Sequence, residues 1–383
     1  MTFSSTDQIR WQTMRPQNRL KLGLFGFNCS SGRTPTTVGD RWMLSWPDTL
    51  RLAEMADAAG IDFLLPIGRW KGYGGETDFQ GTTFETLTWA ASLLAKTRNV
   101  VVFGTVHTPL FHPVIAAKQM VTADHVGQGR FALNIVCGWN EDEFEMFGVS
   151  QREHGDRYEH GQEWIDVLKR LWVEPERFDF DGKYFKLKAA VGKPGPFNAT
   201  RPMIMNAGAS TVGTAFALKN CDAFFTGVRV TSFDDATGLM VPAIDDARRH
   251  VDGVHREAGL LGREIGVFTR AEVICRPTQA EAIEYYHHTV EERADLGAID
   301  KQLELNGIAS QVSPEDYVRR RQMYLRGFPL IGTPDTVADH FAVLASAGFD
   351  GIGLSFVNYL TEFPYFRDEV LARLERTGLR RAA

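Results

Sequence analysis

The chain has 383 residues, 44% of them hydrophobic and 23% charged, which is ordinary for a globular protein and ample for one large α/β barrel. Its formal net charge of −6 argues against nucleic acid as a partner, because phosphate backbones select basic surfaces. No apolar run approaches the roughly 20 residues that span a bilayer, and the polar start Met1 to Gln17 lacks the apolar stretch of a secretory signal. A cytoplasmic location and a flexible arm over residues 1–19 are therefore expected.

From residue 20 onward, short apolar runs alternate with longer amphipathic stretches, the rhythm of successive βα units. Leu20–Phe27 reads as the first strand and Pro47–Ala59 as the helix after it. Pro47 suits a first helical turn and Gly60 a helix end. Ile61–Ile67 is the second strand and Thr83–Ala95 the second helix. Val100–Val106, the helix His112–Val126, and Arg130–Val136 follow. Arg157–Trp172 then has a clear helical period, carried by Trp164, Ile165, Leu168, Leu171 and Trp172. The alternating stretch Phe178–Leu187 turns at Asp181-Gly182 and predicts a hairpin. Strands at Pro202–Asn206, Ala223–Thr226, Ile265–Ile274 and Gly351–Phe356 complete a set of eight. Between them lie helices at Thr211–Lys219, Pro242–Ala258, from Thr333-Pro334 to Ser346, and finally Tyr365–Thr377. The expected fold is a single (β/α)₈ TIM barrel over residues 20–383, with insertions near 173–200 and 291–328.

Such a barrel presents its chemistry at the carboxyl ends of the strands. Those ends carry Asn28, Arg69 with Trp70, Thr105 with His107, Asn134 with Trp139, Asn206, Thr226 and Asn358. Amides, hydroxyls and aromatics dominate, carboxylates are scarce, and one histidine is present. No G-x-S-x-G elbow, H-E-x-x-H helix or phosphate-binding P-loop occurs, and no metal site is expected. Cys29, Cys137, Cys221 and Cys275 are widely spaced, without a C-x-x-C pair, and read as buried free thiols. A site of this composition suits a cofactor that is held by hydrogen bonds and stacking and performs the chemistry itself.

Several stretches keep two readings open. The run Gly68 to Gly75 is either a flexible barrel loop or a lid over an anionic aromatic ligand. Arg157-Tyr158 is solvated surface or a phosphate contact, and Ala207 to Thr211 is an N-cap that also presents backbone N–H groups to a phosphate. His107 is a core histidine or a proton-handling group, and Trp70 and Trp139 are core or pocket wall.

The motifs Gly72-Tyr73-Gly74-Gly75, Ala123 to Arg130, Asn134 to Trp139, Glu143, Arg157-Tyr158 and Ala207 to Ser210 together carry a family resemblance. Over residues 20–375 the chain resembles the bacterial-luciferase-like flavin monooxygenases, in the pyrimidine and dimethyl sulfone monooxygenase branch. The resemblance implies reduced FMN delivered by diffusion from a separate NAD(P)H-dependent flavin reductase, O₂ as co-substrate, and a homodimer or homotetramer. It places flavin contacts at Gly68, Arg69, Asn134, Glu143, Arg157, Tyr158 and Ser210, and catalytic oxygen handling at Thr105 and Asn134. In the pyrimidine enzymes these two hold oxygen near flavin N5, which implies an N5 adduct and not necessarily the C4a adduct of luciferase. Trp70, His107, Trp139 and Phe224 are the expected substrate pocket. Gly68-Arg69 replaces an isoleucine–lysine pair of the pyrimidine branch, and Phe224 to Arg229 also departs from it. The implied substrate is therefore a small N-heterocycle, a related amide or a sulfone, with uracil itself left open. Two other readings keep the barrel: a deazaflavin-dependent hydride-transfer enzyme, and a flavin-binding barrel without catalysis.

Overall fold

The computed structural model describes residues 14–208, 210–307 and 327–381. Eight of its strands are parallel and close on themselves in chain order. They are β1 (Lys21–Phe25), β2 (Phe63–Leu65), β3 (Val101–His107), β4 (Phe131–Val136), β7 (Met203–Asn206), β8 (Ala223–Phe225), β11 (Gly266–Cys275) and β13 (Gly351–Ser355), which pairs back to β1. This is the (β/α)₈ barrel expected from the alternating pattern. Between the strands run α1 (Trp46–Ala58), α2 (Thr86–Leu94), α3 (Pro113–Val126), α4 (Glu141–Met146), α5 (His154–Val173), α6 (Thr211–Asn220), α7 (Ile244–Leu260), α8 (Gln279–His287) and α9 (Leu296–Leu305). The helix Pro334–Ser346 and the helical residues 359–376 complete the layer.

Strand alternation sorts the apolar residues into two cores. Inside the barrel, Phe63, Leu65, Phe103, Ala132, Met205, Phe225 and Phe268 pack together. Gly23 and Gly351 make room for two of these rings, since a Cβ on either glycine would fall 2.2 Å from Phe63 or Phe268. Outside, Leu22, Leu64, Val102, Leu133 and Ile204 pack against the helices. Local signals do what the sequence promises. Ser45 caps α1, with Pro47 in its first turn, and Gly60 leaves it at φ 76°.

The arm expected over residues 1–19 begins outside the described residues; from Met14 the chain is packed. Met14 joins the inner core, and Asn18 Nδ2 donates to Asp62 Oδ1 at 2.8 Å. Asp62 also accepts from the Leu22 N–H at 2.7 Å and pairs with Arg380, so Asn18 and Arg380 are both fastened to the barrel floor.

Insertions supply the remaining strands. The predicted hairpin is present as β5 (Phe178–Asp181) and β6 (Lys186–Ala190), docked on α5 by the Glu163 carboxylate, which accepts from the N–H groups of Lys183 and Tyr184. A second antiparallel pair, β9 (Val230–Phe233) and β10 (Met240–Pro242), lies between β8 and α7 and was not expected; Pro242 ends β10 instead of opening α7. The insertion expected near 291–328 contains α9, while residues 308–326 lie outside the described residues. After it comes the unforeseen strand β12 (Phe328–Gly332). Gly266–Phe268 of β11 pair with β8, whereas Ala271–Cys275 pair with β12. Phe268–Glu272 pair with β13 on the opposite edge. The upper half of β11 thus rises past the barrel and supports a second wall.

Candidate active site

The upper ends of β3 and β4 face each other in register, Thr105 opposite Asn134. Odd-numbered alternation along β3 turns Phe103, Thr105 and His107 inward above the apolar core. The Thr105 hydroxyl donates to the Pro66 carbonyl at 2.6 Å and accepts from Asn134 Nδ2 at 3.2 Å. That chain fixes the orientation of the amide. It leaves Asn134 Oδ1 buried with no partner among the described residues, an acceptor held ready for a donor from outside the chain. Gly68 backs onto the pair, since a Cβ there would lie 3.1 Å from Thr105 Cγ2 and 3.2 Å from His107 Cε1.

Beside it is a buried charged cluster. Arg69 Nη1 pairs with Glu143 Oε1 at 3.0 Å, its Nη2 donates to the Tyr73 hydroxyl at 2.6 Å, and its Nε donates to Gln80. Glu143 Oε1 also accepts from the Trp70 N–H at 2.9 Å, which locks the start of the glycine-rich loop onto α4. The Arg69 guanidinium lies 4.5 Å from the Tyr73 ring centre and 5.3 Å from that of Trp139. His107 Nδ1 is 3.9 Å from Glu143 Oε2. Burial pushes His107 down to about 4, with Arg69 also lowering it and Glu143 opposing. The imidazole is therefore neutral near pH 7, and the cluster as a whole carries no net charge.

A second group gathers at the amino end of α6. Ser210 caps that helix by accepting from the Gly213 N–H at 3.1 Å. The Tyr158 hydroxyl would be 2.5 Å from a Cβ at Gly213, so it sits at the first turn. Arg157 Nη1 donates to the Gly138 carbonyl at 2.8 Å, and its Nη2 lies 3.1 Å from His154 Nδ1. His154 Nε2 in turn lies 3.1 Å from Ser210 Oγ. His154 escaped the sequence reading; its position three residues before Arg157, on the same helix face, was the available signal. Arg157 Nε is buried without a partner among the described residues. Free backbone N–H groups, two hydroxyls and a guanidinium make an anion site of the type that holds phosphate.

The cover over both groups is built from distant segments. Asp295, capping α9, accepts from the N–H groups of Glu76 (3.1 Å) and Thr77 (2.8 Å). Asp142 of α4 bridges Lys71 at 3.6 Å and Lys301 at 3.2 Å. Tyr73, Phe79 and Ala298 form a small core beneath, with Trp139 and Leu305 against it. Trp70 packs edge-on to Phe147, ring centres 5.1 Å apart, and tilted to Phe111 at 6.2 Å. The glycine-rich stretch is thus clasped in place by contacts to α4 and α9.

Phe224 does not join the pocket. In β8 the residues Ala223 and Phe225 point inward, which turns Phe224 out toward α7, its ring centre 6.1 Å from that of His250. Phe225 takes the inner place, edge-on to Phe25 at 5.5 Å. Three other strand-end amides are fasteners. Asn28 bonds both backbone groups of Ile67, Asn206 joins the Ile135 carbonyl to the Gly208 N–H, and Asn358 caps the last helical segment. All four cysteines are buried free thiols, Cys29 and Cys137 each pushed up to about 12 by burial. Among the described residues no three His, Cys, Asp or Glu side chains form a metal cluster, and no helix is long and apolar enough to cross a membrane.

Among the described residues the arrangement therefore combines a group at the start of α6 that could hold an anion with a neutral hydrogen-bonding surface bearing an unpaired buried acceptor and with aromatic walls. Comparison with known proteins agrees with that composition. The family model for luciferase-like monooxygenases matches residues 20–351. An FMNH₂-dependent dimethylsulfone monooxygenase of Pseudomonas fluorescens is 28% identical over 93% of this chain and 94% of its own length. The pyrimidine monooxygenase RutA of Acinetobacter baylyi is 25% identical over 92% and 94%. Among solved structures, DmoA from Hyphomicrobium sulfonivorans superposes with a TM-score of 0.78 at 20% identity, covering 95% of this chain and 89% of that one, a likeness of fold.

Proposed function

Because the chain belongs to the luciferase-like monooxygenase family, we propose that it is a two-component monooxygenase that uses reduced FMN and O₂ to oxygenate a small organic substrate. The observation that carries this is the amide of Asn134, oriented through Thr105 and the Pro66 carbonyl, with Oδ1 buried and unpaired. A reduced isoalloxazine is rich in N–H donors, and the charged side chains beside Asn134, Arg69 and Glu143, are taken up by each other. When bound, FMN supplies the electrons that activate oxygen.

The residues of the chain then have distinct tasks. Ser210, Tyr158, Arg157 and His154 hold the phosphate at the start of α6. Asn134 and Thr105 orient the ring edge and the oxygen beside it. Gly68 lets the ring approach the β3 end, where any side chain would crowd Thr105 and His107. The Arg69–Glu143 pair fixes the cover loop, while Trp70, Trp139 and neutral His107 line the space above. Exclusion of water matters here, because an oxygen-activated cofactor exposed to solvent is wasted as peroxide. Substrates within this reading are N-heterocycles such as pyrimidines, related amides and sulfones. A flavin reductase supplies FMNH₂ by diffusion, and the working form is a cytoplasmic homodimer or homotetramer. The four free thiols suit that compartment.

The test is direct. Purified protein with FMN, NADH, a flavin reductase and ¹⁸O₂ is given a panel of pyrimidines, amides and sulfones, and products are read by mass spectrometry. One labelled oxygen in a product is expected, with loss of product but continued oxygen consumption in Thr105→Ala and Asn134→Ala. Tighter binding of a reduced deazaflavin than of FMNH₂, with no label incorporated, would replace this reading by hydride transfer.

A further inference from the structure

Around Ser210 the direction of each hydrogen bond follows from the chemistry of its partners. A guanidinium has only donors to offer, so Arg157 Nη2, which faces His154 Nδ1 at 3.1 Å, donates to it. His154 Nδ1 is therefore the acceptor nitrogen, and the imidazole is the neutral tautomer that carries its hydrogen on Nε2. That second nitrogen lies 3.1 Å from Ser210 Oγ and donates to it. Ser210 Oγ also accepts from the Gly213 N–H at 3.1 Å. With both lone pairs engaged, the hydroxyl has only its own hydrogen left to give.

The helix holds this order in place. His154, Arg157 and Tyr158 are spaced i, i+3 and i+4 along α5, so they share one face. The Tyr158 ring meets the imidazole edge-on, centres 5.4 Å apart at 75°, which sets the plane of the imidazole. Arg157 is anchored from its other end, Nη1 donating to the Gly138 carbonyl at 2.8 Å. Gly138 comes just after β4, so the row of donors runs from the strand that carries Asn134 to the first turn of α6.

We infer that His154 is a positioning residue for the cofactor phosphate: fixed by Arg157 as its Nε2–H tautomer, it makes Ser210 an obligatory donor at the start of α6. A serine at a helix start is ordinarily free to accept or to donate. Here only donation remains, so an anion at this turn meets a hydroxyl hydrogen, a guanidinium and backbone N–H groups together. Such a set suits an anion whose oxygens all accept, as those of a fully ionised phosphate monoester do. The inference rests on the placement of the FMN phosphate proposed above and deepens it, since His154 acts there through Ser210.

Anaerobic calorimetry on the full-length protein, with reduced FMN and reduced riboflavin as probes, reads the phosphate contribution as the ratio of two affinities. His154→Leu removes both ring nitrogens and should lower FMN affinity about fivefold while riboflavin affinity is unchanged. In a Ser210→Ala background the same substitution should cost no further FMN affinity, because its effect runs through that hydroxyl. His154→Gln, whose amide offers one acceptor and one donor, should restore most of the loss. Nitrogen-15 spectra of the imidazole with FMN bound should show hydrogen on Nε2 alone. Additive losses in the double variant, no rescue by glutamine, equal weakening of riboflavin, or a hydrogen on Nδ1 would each overturn the role of His154. Equal affinity of the unsubstituted protein for FMN and riboflavin would instead remove the phosphate placement itself, and the inference with it.

Discussion

Replacing Glu143 by glutamine should destabilise the protein far more than the loss of one surface charge. The Arg69 and Glu143 side chains are 5% and 2% exposed and 3.0 Å apart, so the partner left behind cannot recover its charge partner from solvent. Breaking such a pair from one side costs about 3–5 kcal/mol. The substituted amide keeps an acceptor for the Trp70 N–H, and Arg69 keeps Tyr73 and Gln80, so the cost falls at the lower end, about 3 kcal/mol. Arg69→Met should cost as much, because it leaves a buried carboxylate. The double variant Arg69→Met with Glu143→Leu should recover part of the loss, since it leaves no buried unpaired charge although the Trp70 N–H loses its acceptor. Urea unfolding followed by tryptophan fluorescence, extrapolated to water, gives all three values. FMN affinity should fall in every variant, the double included, which separates the structural task of the pair from its part in the site. Single losses under about 1 kcal/mol that simply add in the double variant would refute the reasoning.

Burial holds His107 at about 4, below its unfolded value, so the unfolded chain takes up its proton first as pH falls. Stability attributable to this residue is intact above about pH 6.5 and is lost between there and about pH 4, by roughly 3 kcal/mol in all; the His107→Gln protein should show a flatter profile over that window in parallel urea melts. Thr105→Val preserves shape but strands the Pro66 carbonyl and the Asn134 amide, so about 1–3 kcal/mol should be lost. Oxygen use should uncouple from product in that variant, and Thr105→Ser should restore coupling. Ser210→Ala and Arg157→Ala should each weaken FMN about tenfold and leave riboflavin affinity unchanged, because only FMN carries the phosphate. Gly75 has φ +76°, and a Cβ there would fall 2.1 Å from Asp295 Oδ1, so Gly75→Ala should open the clasp and raise peroxide release.

The regular part of the fold was legible because each signal is local. Eight apolar runs, Gly60 after α1, Asp181-Gly182 in the hairpin and Thr333-Pro334 before a helix are each read within a few residues. Thr105 and Asn134 were legible as polar residues ending neighbouring strands, and the structure places them in hydrogen-bond contact. What escaped depends on partners far apart in the chain. Asp295 has no local mark of its grip on Thr77, 218 positions away. Phe224 and Phe225 are adjacent and alike, and only the strand register decides which faces inward. β12 is a short apolar run, Phe-Pro-Leu-Ile-Gly, that contains a proline and directly abuts the expected insertion near 291–328, so it gave no strand signal of its own. Arg270 and Glu272 were visible as charges at period two inside an apolar strand, a pattern that points to the barrel interior.

The long strand β11 shares out one edge between two neighbours, its lower residues to β8 and its upper ones to β12. Closure of the cylinder and construction of the rampart above it are therefore separable tasks. A lineage could lengthen, shorten or reshape everything between α8 and β12 while the eight staves below kept their registration. Discrimination among substrates could then diverge on a cofactor-holding base that stayed the same.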